Sequence, residues 1–454
     1  MIRVAILGCG MMGQEHVSYI LKYQDALTIK FLCDPDSSSI DSALSIIEDN
    51  SVEAPTPCIL NDEKELLQHV DEIDLLVIAS PNYWHTPQLL RWCQYDITIL
   101  CEKPVAISEK QVSALKAAMP NCKARIWIAM EYRFIPAINK LIQLLPEVGD
   151  IKKVTIRENR YPFLSKVGEW NKDTEKSGDT LVEKCCHFFD LFRLIISKEM
   201  SGCVSKVHRG LLWDHYGYQD EADKDVVPII DSAYVLLDFN NSSQSDQTKT
   251  RKHATDQTTL GCLELCMFAE GSRHQEEIIV TGMKGRIEAY LPENKVFLYQ
   301  RPTPDGPWKD KSKPPPLESF SEVVYDCSDL RQVYDFADQI PEMHSGYHYC
   351  STAIEWKYLI DAMKDSGEGK PFVPKVSLDD GIKAVEMGLS SMKNITNDAS
   401  REVIAPVRAF SSQSSENLLD LVLNSGLVSS PDHVKEAFMR VIDACDGEYK
   451  VSFE

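Results

Sequence analysis

Lys103 stands between Glu102 and Pro104, directly after the short apolar run 97–101. Such a run reads as a strand of a parallel sheet, and the carboxyl edge of that sheet is the crevice where open α/β folds hold ligands. An ammonium at that edge can donate a proton or stabilise charge developing on a substrate oxygen. The proline behind it fixes the local backbone and limits where the ammonium points. A lysine alone performs no reaction, so the neighbouring elements must supply the partner. Upstream, Val4-Ala5-Ile6-Leu7 leads into Gly8-Cys9-Gly10-Met11-Met12-Gly13, and a helical stretch over 15–23 follows. Strand, G-x-G-x-x-G and helix is the order that cradles a dinucleotide. Gly8 permits the tight turn, Gly10 lets the backbone approach a pyrophosphate, and Gly13 lets helix and strand pack closely, with Met11 and Met12 between them. A second strand over 29–33 ends at Asp34, about 20 residues beyond the last glycine, where an acidic side chain accepts from an adenine-ribose diol and repels a 2′-phosphate. The expected cofactor is therefore NAD rather than NADP.

The elements that must position these residues alternate. Helices are expected over 39–48, 63–70, 86–94 and 108–118, and strands over 58–60, 75–79, 97–101 and 125–130. Pro87 falls in the first turn of its helix, where proline is tolerated. Strands alternating with helices predict a parallel sheet covered on both faces. The strand over 75–79 ends in Ser80-Pro81-Asn82-Tyr83-Trp84-His85, a second loop at the same sheet edge. His85 there either lines the cofactor crevice or is a polar residue of a helix start.

Beyond residue 150 the pattern changes. The segments 151–157, 233–239, 262–268, 277–281 and 286–290 read as strands, and some fit a two-residue period, as a sheet with one more polar face requires. Gly282-Met283-Lys284-Gly285 reads as a hairpin connection. The expected fold is α/β: an N-terminal Rossmann dinucleotide-binding domain over 1–130, then an α+β domain over 131–397 built on a large, mostly antiparallel open sheet. Strands such as 233–239 carry more apolar residues than one covered face needs, which predicts a homo-oligomer, dimer or tetramer, formed through the exposed face. Loops are expected over 240–259, 301–316 and 398–413. A helical extension over 398–454 carries apolar stripes at Leu418, Leu419, Leu421 and Val422, and at Val434, Phe438, Val441 and Ile442.

Composition bounds the partners. The net charge of −21 argues against non-specific binding to nucleic acid or an anionic membrane. No stretch reaches the length of a transmembrane helix, and a strand beginning within the first few residues leaves no room for a signal peptide. The 14 cysteines form no C-x-x-C pair and read as reduced thiols, so the expected compartment is the cytoplasm. His344 and His348 share an i, i+4 spacing, but Gly346 lies between them and no H-E-x-x-H glutamate is present, so no metal site is expected.

These motifs together resemble the Gfo/Idh/MocA family of NAD(P)-dependent oxidoreductases over roughly residues 1 to 395. The residues that carry the resemblance are Gly8 to Gly13 with Gln14-Glu15-His16, Cys33-Asp34-Pro35-Asp36, Ser80-Pro81-Asn82 with His85, Glu102-Lys103-Pro104 and Tyr132-Arg133-Phe134. Trp170, Ser177-Gly178-Asp179 and Glu183-x-x-x-His187 with Asp190 follow. The resemblance implies that Lys103 and His187 line the substrate site, with Glu183 where the family usually has aspartate. Lys184 beside it is a further departure. Spacing of i, i+4 puts Glu183 and His187 on one helical face, where they could hydrogen-bond; the structural alternative is a helix-surface pair with His187 packed in the core. A histidine oriented by a carboxylate suits proton transfer near neutral pH. Arg160, Tyr161, Trp170 and Asn171 fall where the family's second domain faces the nicotinamide, as substrate contacts or as an ordinary loop. The implied activity is hydride transfer between NAD(H) and a sugar, cyclitol or other polyhydroxylated small molecule. An NAD-dependent glycosidase and a non-catalytic cofactor-binding regulator are the alternatives the family offers.

Overall fold

The computed structural model describes residues 1–396 apart from 51–54, 213–226, 241–257, 303–309, 311, 317–319 and 342–349. The two C-terminal apolar stripes, His344, His348 and most of the loop over 240–259 lie outside the described residues.

The first sheet has six strands: Ile2–Leu7 (β1), Leu27–Cys33 (β2), Cys58–Leu60 (β3), Leu75–Ile78 (β4), Thr98–Glu102 (β5) and Arg125–Ala129 (β6). They run parallel in the order β3-β2-β1-β4-β5-β6. Their side chains are buried on both faces, as β4 shows most plainly, because helices cover the sheet from both sides. The strand order reverses between β1 and β4, which opens a crevice at their carboxyl ends. The covering helices are Met11–Lys22 (α1), Ser37–Asn50 (α2), Glu63–Leu66 (α3), Asn82–Trp92 (α4) and Glu109–Ala118 (α5).

One helix start differs from expectation in an informative way. Helix α4 begins at Asn82, not 86, so Pro87 lies inside it rather than in its first turn. Proline cannot donate to the carbonyl four residues back; that carbonyl, on Tyr83, instead accepts from the Gln111 side chain at 3.3 Å.

The second sheet is larger than the sequence suggested. Helix Pro136–Val148 (α6) leads into Ile151–Asn159 (β7). The short helices Thr174–Ser177 (α7) and Thr180–Glu183 (α8) and the longer Cys186–Ile196 (α9) follow. Then come Gly202–Arg209 (β8), Ile230–Phe239 (β9), Thr259–Cys266 (β10), Glu276–Gly282 (β11), Gly285–Tyr290 (β12), Lys295–Gln300 (β13) and Ser321–Asp326 (β14). Helices Ser351–Gly367 (α10) and Leu378–Lys393 (α11) complete the described chain.

The eight strands are ordered β14-β13-β12-β11-β7-β10-β9-β8. All neighbours are antiparallel except β7 and β10. A parallel pair needs a long crossover, here the stretch that carries α7 to α9. Alternate residues of β9, among them Val235, Leu237 and Phe239, are buried, and the Phe239 ring stacks on Phe192 of α9 at 6.2 Å. The opposite face leaves Val204, Tyr234, Leu236 and Leu260 exposed. The expected hairpin is present, with Met283 and Lys284 joining β11 to β12.

Candidate active site

The glycines of the β1–α1 turn divide the work as their spacing requires. Gly8 has φ +99°, and a Cβ there would meet the Ser80 nitrogen at 2.5 Å; one on Gly13 would meet the Gly8 oxygen at 2.1 Å. A Cβ on Gly10 would meet nothing within 4 Å, so open space lies over that residue. Helix α1 starts at Met11 with no side chain capping it, which leaves the N–H groups of its first turn for an anion. Asp34 follows β2, and its carboxylate accepts from the backbone of Cys9 at 2.7 Å and of Asp36 at 2.8 Å, which fixes its direction. An open cradle, an uncapped helix and a braced carboxylate fit a dinucleotide.

The β4–α4 loop is more inward than its motif suggested. Ser80 donates to the Gln88 side chain at 2.6 Å, Pro81 precedes α4 at its N-cap, and Asn82 donates to the Ser177 carbonyl at 3.1 Å. His85 is buried, with ring nitrogens 2.8 Å from the Pro104 oxygen and 2.7 Å from the Ser80 oxygen. Burial drives its pKa down, so a neutral ring carries one N–H for the two carbonyls.

Lys103 emerges immediately after β5. Its Nζ lies 3.2 Å from the Glu183 carbonyl and 3.8 Å from the Glu183 carboxylate. Burial alone would lower the pKa of this ammonium, but Glu183, Cys186, Glu131 and Glu102 reverse that and hold it above the ordinary lysine range. The Glu183 carboxylate shows the mirror effect: burial pushes it up, yet Lys103, Lys166 and Arg160 bring it down to about 2. Lys166 reaches it at 3.3 Å while sitting 4.5 Å over the Trp170 ring. Lys103 is thus an ammonium with a fixed counter-ion.

The expectation that Glu183 and His187 share one helical face is overturned. Helix α8 ends at Glu183 and α9 begins at Cys186, and the Cys185 N–H bonds to the Thr180 oxygen five residues back. That wider turn inserts a residue and breaks the regular α-helical spacing between Glu183 and His187. His187 Nε2 instead lies 3.4 Å from Glu131 Oε1, and its ring stacks on Tyr132 at 4.5 Å. Lys184, at the break, donates to the Tyr132 hydroxyl at 2.7 Å and lies 3.2 Å from Glu158 and 3.6 Å from Glu276. The Tyr132 hydroxyl in turn donates to Glu276. Lys184 therefore ties the broken helix to the ends of β7 and β11. Three residues past His187, Asp190 takes a bidentate bond from Arg133 at 2.5 Å on each arm, which clamps α9.

The expected substrate residues all follow β7, between positions 160 and 171. Arg160 lies 3.4 Å from Glu158 and over the rings of Tyr161 and Phe163. Trp170 is buried under Lys166, and Asn171 is fully buried, donating to the Leu164 carbonyl at 2.9 Å. Sequence reasoning did not single out Glu131, although it lies two residues past β6, at the same sheet edge that singled out Lys103. Lys166 gave no local signal.

Comparison with known proteins agrees with this architecture. Residues 2–130 match the model of the oxidoreductase family with an NAD-binding Rossmann fold, GFO_IDH_MocA, and residues 144–250 match that family's C-terminal alpha/beta domain. Inositol 2-dehydrogenase of Pseudarthrobacter chlorophenolicus is 28% identical over 134 residues, 29% of this chain and 37% of that protein. Three curated oxidoreductases that it resembles are matched over only 46% to 64% of their own lengths. Among solved structures, levoglucosan dehydrogenase in complex with NADH and levoglucosan superposes with a TM-score of 0.62 at 16% identity, covering 87% of this chain and 96% of that one. The WlbA dehydrogenase of Bordetella pertussis in complex with NADH and UDP-GlcNAcA gives 0.61 at 15%, covering 87% and 95%.

Proposed function

The chain belongs to the Gfo/Idh/MocA family of oxidoreductases, and we propose that it transfers hydride between NAD(H) and a sugar, cyclitol or related polyhydroxylated substrate. The observation that carries this reading is the meeting of Lys103 and His187 around Glu131. That carboxylate lies 3.4 Å from the histidine and helps hold the Lys103 ammonium above its ordinary range. The two side chains come from the modules of different sheets, Lys103 directly after β5 and His187 on α9. The similarity to an inositol 2-dehydrogenase and the likeness in fold to levoglucosan dehydrogenase support a polyol.

In this reading the turn Gly8 to Gly13 holds the pyrophosphate, and Asp34 accepts from the adenine ribose. Bound nicotinamide supplies the hydride acceptor or donor. Lys103, held as an ammonium by Glu183, stabilises charge on the reacting oxygen; it is poorly suited to act as a base near neutral pH. His187, oriented by Glu131, exchanges the hydroxyl proton. Arg160, Tyr161 and Trp170 shape the wall that faces the substrate hydroxyls.

Screening a panel of sugars and inositols by nicotinamide fluorescence tests this directly. A substrate-dependent change in NADH, abolished in Lys103→Met, is the expected result. Turnover of an aryl glycoside with no net change in NADH would refute the proposed net reaction.

A further inference from the structure

Behind Lys103 lies a buried polar chain that the reaction described above does not use. Glu102, the last residue of β5, accepts from the Lys103 backbone N–H at 3.3 Å through Oε2. Its other oxygen, Oε1, lies 2.9 Å from Nε2 of His16 on α1. The Nδ1 of that same ring lies 3.2 Å from the indole nitrogen of Trp356 on α10, with the two rings edge to face at 5.7 Å. All three side chains are buried. An indole N–H can only donate. Nδ1 of His16 is therefore the acceptor, and Nε2 carries the hydrogen that Glu102 receives. One indole sets the tautomer of a histidine, and that tautomer sets which way a carboxylate is held.

Helix α10 is registered on α1 by independent contacts. Thr352 donates to Glu15 at 2.8 Å, and the Tyr23 hydroxyl donates to the Ala353 carbonyl at 2.9 Å. The Trp356 indole is therefore delivered to His16 by a docked helix, not by its own bond alone. Glu102, fixed in this way, contributes to holding Lys103 as an ammonium and ties down the backbone from which that side chain springs.

We propose that Trp356 and His16 are positioning residues for Lys103, acting through Glu102. The proposal rests on Lys103 being the working ammonium of the site, but its test does not require a substrate. Trace labelling of the full chain with acetic anhydride, read by mass spectrometry at Lys103 against the exposed Lys30, measures how available the free amine is.

His16→Leu and Trp356→Phe should each raise Lys103 labelling roughly three- to tenfold, the change expected for losing one hydrogen bond of the chain that fixes Glu102. His16→Gln, whose amide can still donate to Glu102, should remain near the wild-type rate. NADH affinity by fluorescence titration should stay within about twofold, because none of the chain's hydrogen bonds is made to the glycine turn. Where His16→Leu does not fold, Trp356→Phe, which keeps the ring's bulk, carries the test alone. Unchanged Lys103 labelling in folded variants overturns the proposal, and so does a rise matched by an equal loss of NADH affinity, which would make the chain a general brace. A catalytically silent Lys103→Met would refute the assigned function and leave the labelling result standing.

Discussion

Replacing Glu183 with glutamine isolates the ion pair that holds Lys103. The Glu183 side chain is 5% exposed, so solvent screening takes little from the interaction. Its pKa falls from 4.5 to about 2 in the folded chain. A depressed carboxylate stabilises the fold at pH values above its unfolded pKa, and that stabilisation is lost as pH falls toward the folded value. The shift corresponds to about 3 kcal/mol at pH 7, shrinking to about 2 kcal/mol by pH 3.5. Glu183→Gln lacks this contribution at every pH and leaves Lys103 and Lys166 facing a neutral amide. Its melting temperature at pH 7 should therefore lie about 4 °C below wild type. The gap between the two proteins should narrow by roughly a third as the buffer is taken to pH 3.5. Differential scanning fluorimetry across that range reads both quantities. A gap that stays constant with pH would mean that Glu183 is not ionised in the fold, and the account of Lys103 as a counter-ion-held ammonium would fail with it.

Asp34→Ser should weaken NADH binding and narrow any preference over NADPH, read by isothermal titration; tighter NADPH than NADH binding by the wild type would contradict the role given to Asp34. His187→Ala should lower turnover by roughly two to four orders of magnitude, the range for losing a general acid or base, with NADH affinity nearly unchanged. Val204, Leu236 and Cys262 line up across β8, β9 and β10 on the outer face of the second sheet, and Leu236 is 54% exposed. We expect this face to join two or more copies, so Leu236→Glu should reduce the mass measured by light scattering. A monomeric wild type at micromolar concentration would remove the basis for that expectation.

What could be read from the sequence was what local pattern controls. The runs around Val4 and Leu75 are apolar and bounded by turn residues, so β1 and β4 were legible along with the glycine turn between β1 and α1. Strands β8, β13 and β14 were not, because an edge or half-exposed strand such as β14, with only a partly covered Tyr325, carries little alternation. The break between Glu183 and Cys186 left no Gly or Pro to announce it; it is dictated by Lys184 reaching Tyr132, Glu158 and Glu276, contacts 26 to 92 residues distant in sequence. The partner of His187 was misassigned for the same reason. Spacing finds neighbours on one helix, whereas Glu131 comes from another element altogether. His16 was visible as part of a motif, but its partner Trp356 is 340 positions away and no local rule connects them.

The docking of α10 bears on how this chain is made. Trp127 of β6 donates to Glu355 at 2.9 Å, and His16 of α1 accepts from Trp356, so the first sheet's inner wall is finished by residues near position 355. Synthesis proceeds at about 5 to 20 residues per second. After β6 has left the ribosome, roughly ten to forty seconds pass before α10 exists. Throughout that interval the surface that Ala353, Ile354, Trp356 and Leu359 will cover lies open, with Trp127 and His16 wetted. A nucleotide-binding half that is topologically complete at residue 129 is thus energetically unfinished. Residues 1–130 expressed alone should bind the hydrophobic dye ANS and require chaperone holding, whereas ending the chain after α11 should restore a sealed wall.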